Sequence, residues 1–233
     1  MKKPLFITYT NGKEPYTILA DRLKGEIFNL DAGDFCHIRV NGPGNNMDFF
    51  AEVNGLLYPY ITKAINSRPV VILDCDNGLE GPIDQLFETD FDIAAVFRYA
   101  QKNEWGRQDY CAGLVVLNNR RPTLVKKFWI EWTYRTAFWK QGNKEKFPQA
   151  LKDDGWLVSW FTDQSSLNQI ILPDGNQNEP EEDSHKIIPE QIYEAHGYRI
   201  LPLERRIYGA IPGNSADAYI IHYKGKAKAR RVG

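Results

Sequence analysis

Val70, Val71, Ile72 and Leu73 form an unbroken apolar run that ends in Asp74-Cys75-Asp76. A continuous run of branched aliphatics predicts a strand covered on both faces, because a half-solvated strand alternates apolar and polar residues. Such strands belong to mostly parallel sheets flanked by helices, so this stretch alone points to an α/β architecture. The two carboxylates then stand where the strand ends. Strand periodicity puts positions i and i+2 on one side, so both can converge on one point. Like charges that close repel each other unless something positive lies between them.

The rest of the chain repeats the pattern. Pro4 to Tyr9 predicts a first strand that stops at the turn residues Asn11-Gly12, Tyr16 to Leu23 a helix, and Gly25 to Leu30 a second strand. Asp31 to Asn46, rich in Gly and Asn, reads as loop. Phe49 to Ile65 carries Phe50, Val53, Leu57, Tyr60, Ile61 and Ala64 at helical spacing. Further strands are expected at Phe91–Phe97, Gly113–Leu117, Ile200–Leu203 and Ala218–Ile221. Helices are expected at Leu124–Lys140, with its aromatic stripe, and at Asp163–Ile171. Asp174 to Asp183 is polar and reads as an exposed loop. With no internal repeat and no linker, residues 1–233 are expected to form one domain with a mostly parallel, three-layer sheet. Ligands of such sheets bind at the carboxyl ends of the strands, where Asp74 and Asp76 lie.

A hydrophobic content of 42% and a charged content of 25% are those of a soluble globular protein. No apolar run approaches the roughly 20 residues of a membrane-spanning helix, and the apolar part of MKKPLFITYTNGKE is too short for a signal peptide. A cytoplasmic protein is expected. Cys36, Cys75 and Cys111 are an odd set without metal-type spacing, so free thiols are expected, with Cys75 a small buried filler. Net charge is −1, which excludes a polyanion binder by bulk charge, yet its distribution is uneven. Asp174 to Glu194 is acidic, whereas Lys224, Lys226, Lys228, Arg230 and Arg231 follow His222 with no acid among them.

Two groups of residues carry chemistry. Asp74 and Asp76 suit a hard divalent cation such as Mg²⁺ or Mn²⁺, which leaves positions for phosphate oxygens. The same pair, followed by Asn77-Gly78, also reads as turn carboxylates. In HYKGKAKARR, His222, Gly225 and Lys228 follow H-x-x-G-x-x-K spacing. The histidine would complete a carboxylate metal shell, the glycine allow close backbone approach, and the lysine meet a phosphate. A solvated basic tail is the plainer alternative.

Four ordered stretches, VVILDCD, YCAGLVVLNN, TDQSSLNQII and HYKGKAK, together resemble the GT-A glycosyltransferases, and within them glycosyltransferase family 8, the glycogenin and lipopolysaccharide-galactosyltransferase group. The likeness runs from the first strand to the last. It departs where the usual Asn-Ser before Gly113 is Cys111-Ala112, and where Pro-Trp after the last lysine is Ala229-Arg230.

This resemblance implies a GT-A fold and an enzyme of the retaining, metal-dependent glycosyltransferase kind. The donor would be a nucleotide-diphosphate sugar, a UDP-sugar above others, with Mn²⁺ or Mg²⁺ held by Asp74, Asp76 and His222. The acceptor would be a hydroxyl of a saccharide or glycan, ahead of a modified DNA base. Asp163 and Gln164 would lie at the sugar's reactive face, although Asp163 also reads as an N-cap. Tyr9, Thr10, Asn11 and Tyr16 would hold base and ribose, or serve as packing residues. Cys75, Ala112, Gly113, Gly225 and Lys228 would line the donor. Lys63 and Arg98 would touch diphosphate or sugar, or remain surface charges.

Other readings are a sugar-nucleotide nucleotidyltransferase, disfavoured by the single glycine in TYTNGKEPY, and a non-catalytic module binding nucleotide sugar or nucleic acid. The last rests on KKFWIEWTYRTAFWK, whose interleaved aromatics and cations suit base stacking but whose single stripe suits a core.

Overall fold

A computed structural model describes residues 2–40, 49–98, 102–103, 106–107, 109–143, 155–172, 187–213, 216–223 and 227. In chain order its elements are β1 (Leu5–Thr10), α1 (Tyr16–Asn29), β2 (Asp34–Arg39), α2 (Phe49–Ala64), β3 (Val70–Asp74) and β4 (Asn77–Leu79). A 3₁₀ turn at Asp84–Glu88 leads to β5 (Ile93–Phe97), the small hairpin β6 (Lys102–Asn103) and β7 (Gly106–Arg107), and β8 (Tyr110–Leu117). Then come α3 (Pro122–Asn143), α4 (Gly155–Ile171), β9 (Tyr193–Ala195), β10 (Tyr198–Glu204), α5 (Arg205–Tyr208) and β11 (Ile220–His222).

Seven strands form one sheet in the order β2-β1-β3-β8-β5-β10-β9. β1 pairs in parallel with both β2 and β3, and β5 with β10, whereas β8 and β9 run antiparallel to their neighbours. The sheet is therefore mostly parallel, as expected. The apolar run of β3 has the expected cause. Val70 and Ile72 face one buried layer with Leu57, Ile61, Phe128 and Trp129. Val71 and Leu73 face a second layer with Leu23, Ile27 and Phe87. Every position of the strand is thus interior, and each buried Val, Leu or Ile contributes about 1.5–3 kcal/mol.

Two elements differ from expectation. Gly25 to Leu30 is not a strand: helix α1 continues to Asn29, because Leu19, Leu23 and Ile27 fall four apart and form one buried stripe. The second strand is instead β2, inside the stretch read as loop. It borders only β1 and keeps its side chains partly exposed, so it lacks the apolar run of a central strand. The aromatic stripe of α3 is core. Phe128, Trp129 and Trp132 are buried, and the two indoles meet edge to face at 5.0 Å. That closes base stacking to these three rings. No helix among the described residues is long and apolar enough to cross a membrane.

Candidate metal centre and donor site

The centre is built where β3 ends. Asp74 is its last residue and pairs in register with Tyr9 of β1, whose hydroxyl donates to Asp74 Oδ1 at 2.8 Å. The chain then turns through Cys75 and Asp76 into β4, so Asn77-Gly78 continues as strand rather than forming the turn. The Asn77 amide secures the turn by donating to the carbonyls of Asp74 (3.0 Å) and Gly113 (2.9 Å).

β4 pairs antiparallel with β11, with His222 opposite Asn77, and the Tyr223 N–H donates to the Asp76 carbonyl at 2.9 Å. This small ladder carries His222 beside the carboxylates, with Nε2 at 3.3 Å from Asp76 Oδ1. Asp74, Asp76 and His222 offer ligand atoms that all lie within 4.8 Å of one another.

A bulge makes room for them. Ala95 of β5 stands opposite Val115, but Val96 stands opposite Cys111, so residues 112–114 have no partner on β5. Gly113 lies in this bulge. A Cβ there would come within 2.9 Å of Asp74 Oδ2 and 3.2 Å of His222 Cε1. Two oxygen donors and an imidazole around a gap that only glycine leaves open fit a divalent cation.

Electrostatics support the same reading. Burial pushes the His222 imidazole down, but hydrogen bonds to Asp76 and Cys111, and their charges, outweigh it and bring it up to about 9. Without a cation, His222 thus answers the carboxylates as an imidazolium. Burial and then the charge of Asp74 push the Tyr9 phenol well above its ordinary range, so it remains an O–H donor.

Asp163 is not an N-cap, because α4 begins at Gly155 and Asp163 sits within the helix. Its carboxylate accepts from Asn54 Nδ2 at 3.1 Å, and its carbonyl accepts from Trp132 Nε1 at 3.0 Å. Burial pushes its carboxyl well up; the Asn54 bond lowers it and the charge of Asp74 raises it again. Asp163 is therefore buried, its carboxyl held above the usual range, and close enough to Asp74 to feel its charge. Gln164 is buried beside it. Asn168 locks this helix to the bulged strand: Tyr110 N–H donates to its Oδ1 at 2.9 Å, and its Nδ2 donates to Tyr110 O at 3.1 Å.

The remaining expected residues divide. Tyr16 and Cys75 pack together with Leu19 and Ala20, which keeps the ring beside the Asp-Cys-Asp turn. Thr10 Oγ1 bonds to His37 Nε2 at 2.9 Å, and Asn11 Oδ1 accepts from the Lys13 N–H at 3.1 Å, so both shape the turn after β1. Ala112 packs against the first buried layer. Arg98 reaches Cys111 Sγ at 2.7 Å and lines a cleft with His222 and Gly113.

Lys63 is elsewhere. It lines a groove with Lys2, Leu5 and Arg68, at the start of β1, about 13 Å of strand away from the carboxylates. Helix α2 runs back toward that end, so a cation near its C-terminus cannot share the site. Gly225 and Lys228 lie outside the described residues, as does most of the acidic stretch from Asp174. Asn54 and Asn168 were not anticipated as site residues. Asn168 stood inside a quoted stretch, but an asparagine alone does not announce that it will pair a strand end.

No family model matches the sequence, and no curated protein matches it either. Among solved structures, a glycosyltransferase involved in glycosylation of the major capsid of PBCV-1 superposes with a TM-score of 0.59 at 13% identity, over 99% of this chain and 97% of that one. The chain has the GT-A fold. The galactosyltransferase LgtC, solved with donor and acceptor sugar analogues, gives a TM-score of 0.47 at 12% identity over 95% of this chain and 87% of that one. The glycosyltransferase GlyE of Streptococcus pneumoniae gives 0.49 at 14% identity over 97% of this chain and 55% of its own length.

Proposed function

We propose that this chain is a retaining, metal-dependent glycosyltransferase that moves a sugar from a nucleotide-diphosphate sugar, a UDP-sugar first, to a hydroxyl of a saccharide or glycan. The observation that carries it is the convergence of Asp74, Asp76 and His222 at the carboxyl end of β3 in a GT-A sheet. These three would hold Mn²⁺ or Mg²⁺, whose charge would offset that developing on a departing diphosphate.

The chain's other residues prepare that position. Tyr9 fixes one oxygen of Asp74 by donating to it, which leaves the other oxygen toward Gly113. Asn77 and the β4–β11 ladder hold Asp76 and His222 at a set separation, so little reorganisation is needed on binding. Asp163, whose carboxyl burial pushes up, would in its protonated form donate a hydrogen bond to a sugar hydroxyl rather than attack the anomeric carbon.

Purified protein with Mn²⁺ should release UDP slowly from its own UDP-sugar by hydrolysis, and Asp76→Asn should reduce that release roughly 100-fold or more while its circular-dichroism spectrum stays that of the folded wild type. Full release by Asp76→Asn, or release unaffected by chelator, contradicts the reading.

A further inference from the structure

A small open cleft adjoins the metal centre. Arg98, Arg205, Tyr208, Cys111, Asn77 and His222 are among the residues that line it, and no Asp or Glu is. Among the described residues, neither Arg98 nor Arg205 meets a carboxylate within ion-pair distance. Arg98 is held in place by its backbone bond to Asp109 O and by Nη2 against Cys111 Sγ at 2.7 Å. Cys111 stands where an asparagine is usual in the family this sequence resembles, so an uncharged amide has been exchanged for a sulfur that the guanidinium rests on. Glu204, the acid next to Arg205, turns its carboxylate back onto the Arg206 N–H at 3.1 Å.

Two guanidinium groups lining one concavity repel each other, and an anion that joins both offsets that repulsion. Their planar forks match a carboxylate or a phosphate, where a lysine would offer only a point charge.

We propose that this cleft takes an oxyanion carried by one of the two reacting sugars, a uronate carboxylate or a sugar phosphate. The proposal rests on the glycosyltransferase reading and adds the charge class of its substrate. The cleft shares His222, Asn77 and Gly113 with the centre, so a group bound in it would lie beside the position proposed for the diphosphate. The anion belongs either to the transferred sugar or to the acceptor, and the two sources separate by experiment.

Calorimetric titrations with Mn²⁺ would compare UDP-glucuronate with UDP-glucose, then, with UDP and Mn²⁺ present, glucuronate and glucose 6-phosphate with glucose. The wild type should favour the charged member of one comparison by roughly 10- to 100-fold, and the comparison that shows it identifies the source. Arg98→Gln and Arg205→Gln should each remove the preference while melting and UDP–Mn²⁺ affinity stay as in the wild type. Equal affinity for charged and neutral partners in both comparisons overturns the proposal, as does a preference that survives both substitutions. Loss of UDP affinity in the variants also overturns it, by assigning the arginines to the diphosphate. Wild-type protein that binds no UDP with Mn²⁺ removes the glycosyltransferase reading itself, and this proposal with it.

Discussion

Gly113 and Asp74 approach so closely that a β-carbon on the glycine would sit 2.9 Å from Asp74 Oδ2. The bulge on β8 and the end of β3 are thus fitted to each other. Gly113→Ala should push Asp74 or His222 out of place. Mn²⁺ affinity, read by titration calorimetry or by loss of the free-ion paramagnetic signal, should fall about tenfold or more. Melting should show a loss of about 1–3 kcal/mol, the usual cost of overpacking. Unchanged Mn²⁺ affinity would mean that the gap does not serve a cation.

His222 gives the metal-free protein a pH signature. Its folded value, about 9, lies above its ordinary 6.5, so its pairing with Asp76 contributes stability that is fully present below pH 6.5 and is lost as pH rises toward 9. A cation needs the neutral imidazole, so Mn²⁺ should bind more tightly over the same interval. Melting curves from pH 6 to 9 should therefore decline in chelator and decline less, or rise, with Mn²⁺. His222→Gln should flatten the decline in chelator.

Asp163 carries the opposite burden at neutral pH. A carboxyl whose folded pKa is raised contributes stability only at low pH and loses it as pH climbs above the unfolded value. Asp163→Asn keeps the shape without that cost, so the variant should melt at the same temperature or a few degrees (~2–4 °C) higher at pH 7. Transfer activity should be largely kept by Asp163→Asn, whose amide N–H still donates, and should fall in Asp163→Ala, which removes the donor. Wild-type transfer in Asp163→Ala would show that this side chain touches no reacting sugar.

The carboxylates were legible in the sequence because a fully buried strand has an unmistakable composition, and Val70 to Leu73 face both layers. The partner His222 was legible only through a resemblance, since nothing local announces that β11 will pair with β4. What escaped was set by tertiary context. β2 hid because an edge strand need not be apolar. Lys63 misled because helical spacing fixes a residue's face but not which end of the sheet its helix turn reaches. Asn54 and Asn168 act only through groups brought from α4 and β8, a relation that no spacing along the chain encodes.

Asn168 bonds both backbone groups of Tyr110, so Asn168→Ala removes two buried hydrogen bonds. A loss of about 2–4 kcal/mol in denaturant unfolding is expected. Asn168→Asp should recover little, since a carboxylate cannot donate to the Tyr110 carbonyl. Restoration to wild-type stability by Asp would mean that only the N–H bond matters.

One cation site, made by Asp74 and Asp76 after β3 and His222 of β11, is proposed to bind the diphosphate of the donor. Calorimetric titration of UDP tests it most directly, with Mn²⁺ and with chelator, in wild type, Asp76→Asn and His222→Gln. The account predicts binding by the wild type with Mn²⁺ only, weakened at least tenfold by either substitution. UDP bound equally well in chelator, or by both variants as by the wild type, would contradict it.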